Sequence, residues 1–179
     1  RTASYFFNPV VDMTIPELFY GSCTIDSTGD IVSFVQMRIL SVGEAAAYEA
    51  IRAGGTNQTA FIPLVAKRLA NGFATVATIQ NMSGSAATVD LTYTPSSEYG
   101  GSSTPVVIND VVIQPYASLL HNHRTADGVP ELPDGWYGSL TVVSDQAVDS
   151  FVQLTFPRFL GVALPSGDLF MAHNGFTQP

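Results

Sequence analysis

Charge is what this sequence has least of. Asp, Glu, Lys and Arg make up 12% of its 179 residues, about half the share of an ordinary soluble protein. Lys67 is the only lysine. The basic residues number 7 against 15 acidic ones, for a net charge of −8. They are scattered and form no cationic stripe for a phosphate backbone, which excludes nucleic acid as a partner. Long apolar runs are missing too: none approaches the ~18 residues a membrane span needs, so no membrane insertion is expected. The single cysteine, Cys23, excludes an internal disulfide framework and a paired-thiolate zinc site. Nucleophile-elbow, zincin and phosphate-loop motifs are all absent. The expectation is therefore a protein that is not an enzyme, with no catalytic residues, no cofactor and no metal.

What is present is a core and a repetition. Hydrophobic residues reach 46%, so the surface is left to Ser, Thr, Asn, Gln and Gly. That composition suits an exported protein, and an extracellular or cell-surface location is expected. The stretch YGSCTIDSTGDIVSFVQ at 20–36 returns as YGSLTVVSDQAVDSFVQ at 137–153, with nine of seventeen positions identical. Chance alone gives roughly one. Upstream, IPELF (15–19) lies on LPDGW (132–136); downstream, after a short insertion in the second copy, AAYEAI (46–51) meets MAHNGF (171–176). Internal duplication follows. Cys23 aligns with Leu140 and is expected to be a small buried hydrophobe.

In this alignment Arg1 falls on Ser118, so the first copy begins in mid-unit. Residues 1–51 read as the back half of a module, 52–59 (RAGGTNQT) as linker and 60–179 as a complete module. ATVDLTYTP (87–95) alternates with the period of a half-buried strand. FIPLVAK, FATVATIQN, PVVIND, VVIQP, SLLHNHR, YGSLTVVS, VDSFVQLTF and DLFMAHNGF are further short strand candidates, separated by Gly, Pro, Asn and Ser clusters. In the first copy, strands are expected near 4–11, 19–26, 30–40 and 45–51. GEAAAYEAIRAGG (43–55) is rich in helix formers, but the repeat sets it on a strand-like segment, and strand is the reading adopted. The fold class is all-β: an immunoglobulin-like antiparallel sandwich, one complete module plus the C-terminal half of another.

The ordered set FIPLVAKRLANGFATVATIQNMSGSAATVDLTYT, VVIQPYAS, LPDGWYGSLTVVSDQAV and AHNGF resembles a module found in tandem in secreted surface proteins of filamentous bacteria, especially the green non-sulfur group. His173 stands where that module commonly has Tyr. The resemblance implies a β-sandwich, extracellular placement and a structural or adhesive role.

Local features offer several candidate sites. His121 and His123 of HNH project to one face of a strand, as two metal ligands would, but no third ligand accompanies them. Asp127, Glu131 and Asp134 lie in ADGVPELPDG, whose two prolines and two glycines read as a long turn rather than a calcium loop. Tyr20, Tyr137 and Trp136 recur as aromatics at a strand start and read as packing rather than a sugar platform. Asn57 (Asn-Gln-Thr) and Asn81 (Asn-Met-Ser) are the candidate glycan acceptors.

A half-sandwich leaves an apolar face and an open edge. Leaving ~800 Å² of it uncovered forgoes on the order of 20 kcal/mol. Three outcomes resolve this: a neighbouring molecule completes the half-module, the half-module folds onto the complete unit, or it is the stub of a longer array. The first is favoured, and the expected function is a structural subunit of an extracellular filament, sheath or surface layer, joined to neighbouring copies of itself by strand complementation. Tyr5, Phe6, Phe7, Val10 and Val11 are the candidate inter-subunit strand. The alternative is a carbohydrate-binding or adhesive accessory module, with glycans as partners.

Overall fold

The computed structural model describes residues 21–39, 44–51, 56–156 and 169–177. Among them are eleven strands and no helix: β1 (Phe34–Ile39), β2 (Glu44–Glu49), β3 (Thr59–Ala66), β4 (Ala74–Asn81), β5 (Ala87–Pro95), β6 (Val106–Ile113), β7 (Ser118–Asn122), β8 (Tyr137–Ser144), β9 (Val148–Thr155), β10 (Phe170–Asn174) and β11 (Phe176–Thr177). All pairings are antiparallel. One sheet runs β11-β3-β8-β5-β6 and a second β10-β9-β4-β7, while β1 and β2 form a hairpin.

The two larger sheets face each other across one core. Ile62, Val65, Val89, Leu91, Tyr93, Leu140 and Val142 project from the first, and Ala77, Ile79, Val148, Val152 and Leu154 from the second. Alternation puts them there: in β5, Ala87, Val89, Leu91 and Tyr93 are fully buried while Thr88, Asp90 and Thr94 are exposed. The described residues between 59 and 177 thus form an all-β antiparallel sandwich.

Two sequence segments, PVVIND and VVIQP, merge into the single strand β6. A bulge opposite Val89–Leu91 interrupts the pairing. Asp110 adopts a left-handed backbone there (φ 58°), and its N–H is received by Asp90 Oδ1 at 3.0 Å. The bulge disturbs the strict alternation that would have marked one strand.

The duplication is visible residue by residue. Phe34 pairs with Glu49, Val35 with Tyr48, Gln36 with Ala47 and Met37 with Ala46. In the second copy Phe151 pairs with Asn174, Val152 with His173, Gln153 with Ala172 and Leu154 with Met171. Under the repeat alignment these are the same pairs. Hairpin β1–β2 is a register-true copy of β9–β10, and the insertion in the second copy falls in the sequence between β9 and β10. Within GEAAAYEAIRAGG, Glu44–Glu49 form β2 rather than a helix.

The upstream part of the first copy differs from its twin. Residues 21–33 form no strand, although their counterparts form β8 and the start of β9. A strand over 19–26 is therefore not found at 21–26. Residues 4–11, with Tyr5, Phe6, Phe7, Val10 and Val11, lie outside the described residues.

Candidate functional site

The most polar spot in the core centres on Tyr93. Its hydroxyl lies 2.6 Å from His121 Nδ1 and 3.2 Å from His123 Nε2. His123 Nδ1 is in turn 3.1 Å from Thr75 Oγ1. Thr75 donates its hydroxyl hydrogen to the Ala66 carbonyl and accepts the Ala66 N–H. That leaves one consistent proton arrangement: His123 Nδ1–H donates to Thr75, Tyr93 O–H donates to His123 Nε2, and His121 Nδ1–H donates to Tyr93. Burial lowers the His123 pKa to about 3, helped by neighbouring His121, and lowers that of His121 as well. Burial pushes the Tyr93 phenol upward. The expected same-face placement of the HNH histidines is observed, but each nitrogen aimed at Tyr93 or Thr75 is occupied by a hydrogen bond. Among the described residues no group of three or more His, Cys, Asp or Glu side chains comes together to hold a metal.

Below this cluster Lys67 is buried with 1% of its surface exposed. Its ammonium donates to the carbonyls of Ala126 (2.9 Å), Val129 (2.6 Å) and Leu132 (2.8 Å). The acidic loop of Asp127, Glu131 and Asp134 therefore turns its backbone oxygens onto the chain's own cation, while Asp134 pairs with Arg68 at 3.3 Å on the surface. Trp136 closes the core with 2% exposure, edge-on to Tyr93, so it offers no face to a sugar. Tyr137 is half-buried against Tyr99, and Tyr20 lies outside the described residues.

The two sequon asparagines sit differently. Asn57 is half-buried before β3, its carbonyl receiving the Val148 N–H. Asn81 is fully buried, and its Nδ2 donates to the carbonyls of Ser85, Ile113 and Gln114. In this structure the candidate glycan acceptor Asn81 serves as an internal clamp, its amide enclosed by the three carbonyls that share its two hydrogens. A sequon carries no sign of such a role, and Lys67 was equally unmarked except as a lone lysine beside a strand end.

The uncovered surface lies in the first copy. Leu140 and Val142 are 0% exposed and Val148 is 2% exposed. Their counterparts are Cys23, which is exposed and free, Ile25 at 54% and Ile31 at 52%. Cys23 is thus corrected from buried to exposed. The reason is neighbours: Leu140 sits between Ile62 of β3 and Tyr93 of β5, and no described strand flanks Cys23. Val32 and Phe34 add further exposed apolar surface, at 92% and 71%. The Ser22 hydroxyl donates to the Tyr116 carbonyl at 2.7 Å.

The hairpin downstream is better sheltered. Its half-buried side, with Val35, Met37, Ala46 and Tyr48, lies on the outer side of β9–β10. Tyr48 stacks on Phe151 with centroids 4.4 Å apart, Gln153 Nε2 approaches Met37 Sδ at 3.3 Å, and Asn174 Nδ2 donates to the Glu49 carbonyl at 2.9 Å. The side of the first copy equivalent to a sandwich interior therefore rests on the exterior of the second.

No protein-family model matches the chain, and no curated protein does. A solved structure, Thermotoga maritima 1070, is similar over 70% of this chain and 97% of its own, at 18% identity and a TM-score of 0.47. A likeness of that degree carries no argument about function.

Proposed function

We propose that the protein is a structural subunit of an extracellular filament, sheath or surface layer, in which neighbouring subunits meet on the exposed apolar side chains between Cys23 and Phe34. Strands of one subunit cover the apolar side chains that the next leaves open. Copies of this chain are the partners. One observation carries the reading: Cys23, Ile25 and Ile31 are exposed, while Leu140, Val142 and Val148, their counterparts in the complete copy, are buried. Contiguous apolar exposure of this sort marks an interaction surface. A contact between unlike surfaces does not close on itself and propagates into a fibre. The low charge limits repulsion between stacked units.

Sedimentation velocity over a wide concentration range tests the proposal. Growth in mass with concentration, with elongated particles in electron micrographs, is the expected result. A compact monomer throughout overturns it.

A further inference from the structure

Deepening the proposed function, and resting on its reading that copies of this chain assemble, we infer that the outer face of the sheet β11-β3-β8-β5-β6 is a second contact surface. Its occupant is the same face of another copy, packed sheet on sheet. The register lines up a row across all five strands: Phe176 pairs with Phe61, Phe61 with Thr141, Thr141 with Thr92 and Thr92 with Val107. None of the five is charged. The alternation that buries Val89, Leu91, Leu140 and Val142 turns the row outward. Of the large apolar side chains exposed among the described residues, Val107, Val112, Val143 and Phe176 stand on this one face. An outer face left to water carries polar residues at such positions, and a contiguous apolar area marks an interaction surface.

Area and charge select the occupant. Four strands of the sheet run eight or nine residues. At ~4.8 Å between strands and ~3.3 Å per residue they cover roughly 500 Å². Two such faces bury about 1,000 Å², the size at which a specific interface begins. Hairpin β1–β2, with six residues in each strand, covers only about 200 Å² and is too small a partner. The carboxylates on the face, Asp90 and Asp110, sit together at the β6 bulge, where Asp90 Oδ1 receives the Asp110 N–H at 3.0 Å. Molecules of net charge −8 repel one another least where each presents an uncharged row. The other outer face of the sandwich is already packed in this manner within the chain, with Tyr48 of the hairpin stacked on Phe151. Phe34 belongs to that hairpin, so the two contact surfaces are separate. The contact through Cys23–Phe34 propagates, whereas like faces meeting about a two-fold axis close on themselves. The five-stranded face therefore joins two filaments back to back.

Sedimentation velocity and electron microscopy on the full chain read the two contacts apart. The variant Val107→Glu, Val112→Glu charges the face at exposed positions. It should form single filaments with about half the parent's mass per unit length, while its thermal transition stays that of the parent. Ser103→Glu, Thr104→Glu adds the same charge in an exposed loop off the face and should leave the paired filaments intact. Val32→Ser, Phe34→Ser should stop at a dimer, and adding Val107→Glu, Val112→Glu should dissolve that dimer. Should the face variant fail to fold, Phe176→Glu replaces it at the other end of the row. A folded face variant with the parent's mass per unit length overturns the inference, and so does a monomeric Val32→Ser, Phe34→Ser. Failure of the filament reading looks different: the parent stops at a dimer that Val107→Glu, Val112→Glu dissolves, which supports this contact. Growth that no face variant alters does the reverse. A parent that stays monomeric overturns both. If that monomer sediments with cellulose or chitin until the face is charged, the occupant is a polysaccharide and not a second copy.

Discussion

Individual side chains set how the sandwich responds to acid. His123 is neutral in the folded protein because burial holds its pKa near 3, against an ordinary value of ~6.5. Between those values the unfolded chain binds a proton that the folded one refuses. The contribution is present in full above pH 6.5 and is lost as the pH falls toward 3. From pH 7 to pH 4 the loss from His123 alone should be ~3 kcal/mol. Urea denaturation at the two pH values measures it, and His123→Asn should flatten the dependence. Lys67 is the other telling residue. Lys67→Met leaves the carbonyls of Ala126, Val129 and Leu132 without their shared donor, and should cost ~3 kcal/mol in the same assay. Limited proteolysis should find new cuts in the 124–135 loop. The sequence placed His121 and His123 on one face correctly, because period-two geometry is local. It left Lys67 and Asn81 unread, because all of Lys67's carbonyl partners and two of Asn81's three lie tens of residues away.

At the scale of the strand, the same substitution should act differently in the two copies. Gly138→Ala forces a Cβ against the Thr94 carbonyl and should destabilise the sandwich by ~2 kcal/mol or more. Gly21→Ala, where no described strand lies alongside, should fall within about 0.5 kcal/mol of the parent protein. Chemical denaturation of both variants makes the comparison. The strands themselves were legible from alternation and from the Gly, Pro and Asn clusters between them. β6 read as two pieces because its bulge breaks the period. β2 shows tertiary contacts overriding intrinsic preference: a segment of good helix formers is held as a strand by register with β1 and by Tyr48 on Phe151. Cys23 misled because its expected burial was copied from Leu140, and a strand's burial belongs to its flanking strands as much as to its sequence.

Across the described residues, a closed sandwich lies beside a segment, Gly21–Phe34, whose apolar side chains are exposed. The exposed side chains Val32 and Phe34 belong to that segment. The double substitution Val32→Ser, Phe34→Ser should reduce concentration-dependent mass growth in sedimentation while leaving the thermal transition of the complete module unchanged. Duplication was readable from sequence. The docking of β1–β2 on the outside of β9–β10 was not, because nothing in a repeat says which face receives it. The most direct test is amide hydrogen exchange, resolved to single residues, on dilute monomer. Amides of Cys23–Asp26 should exchange at least about a thousand times faster than those of Leu140–Val143, since β8 opens only with its sheet. Comparable protection of the two segments in the monomer would show that the first copy is already closed, and would contradict the account.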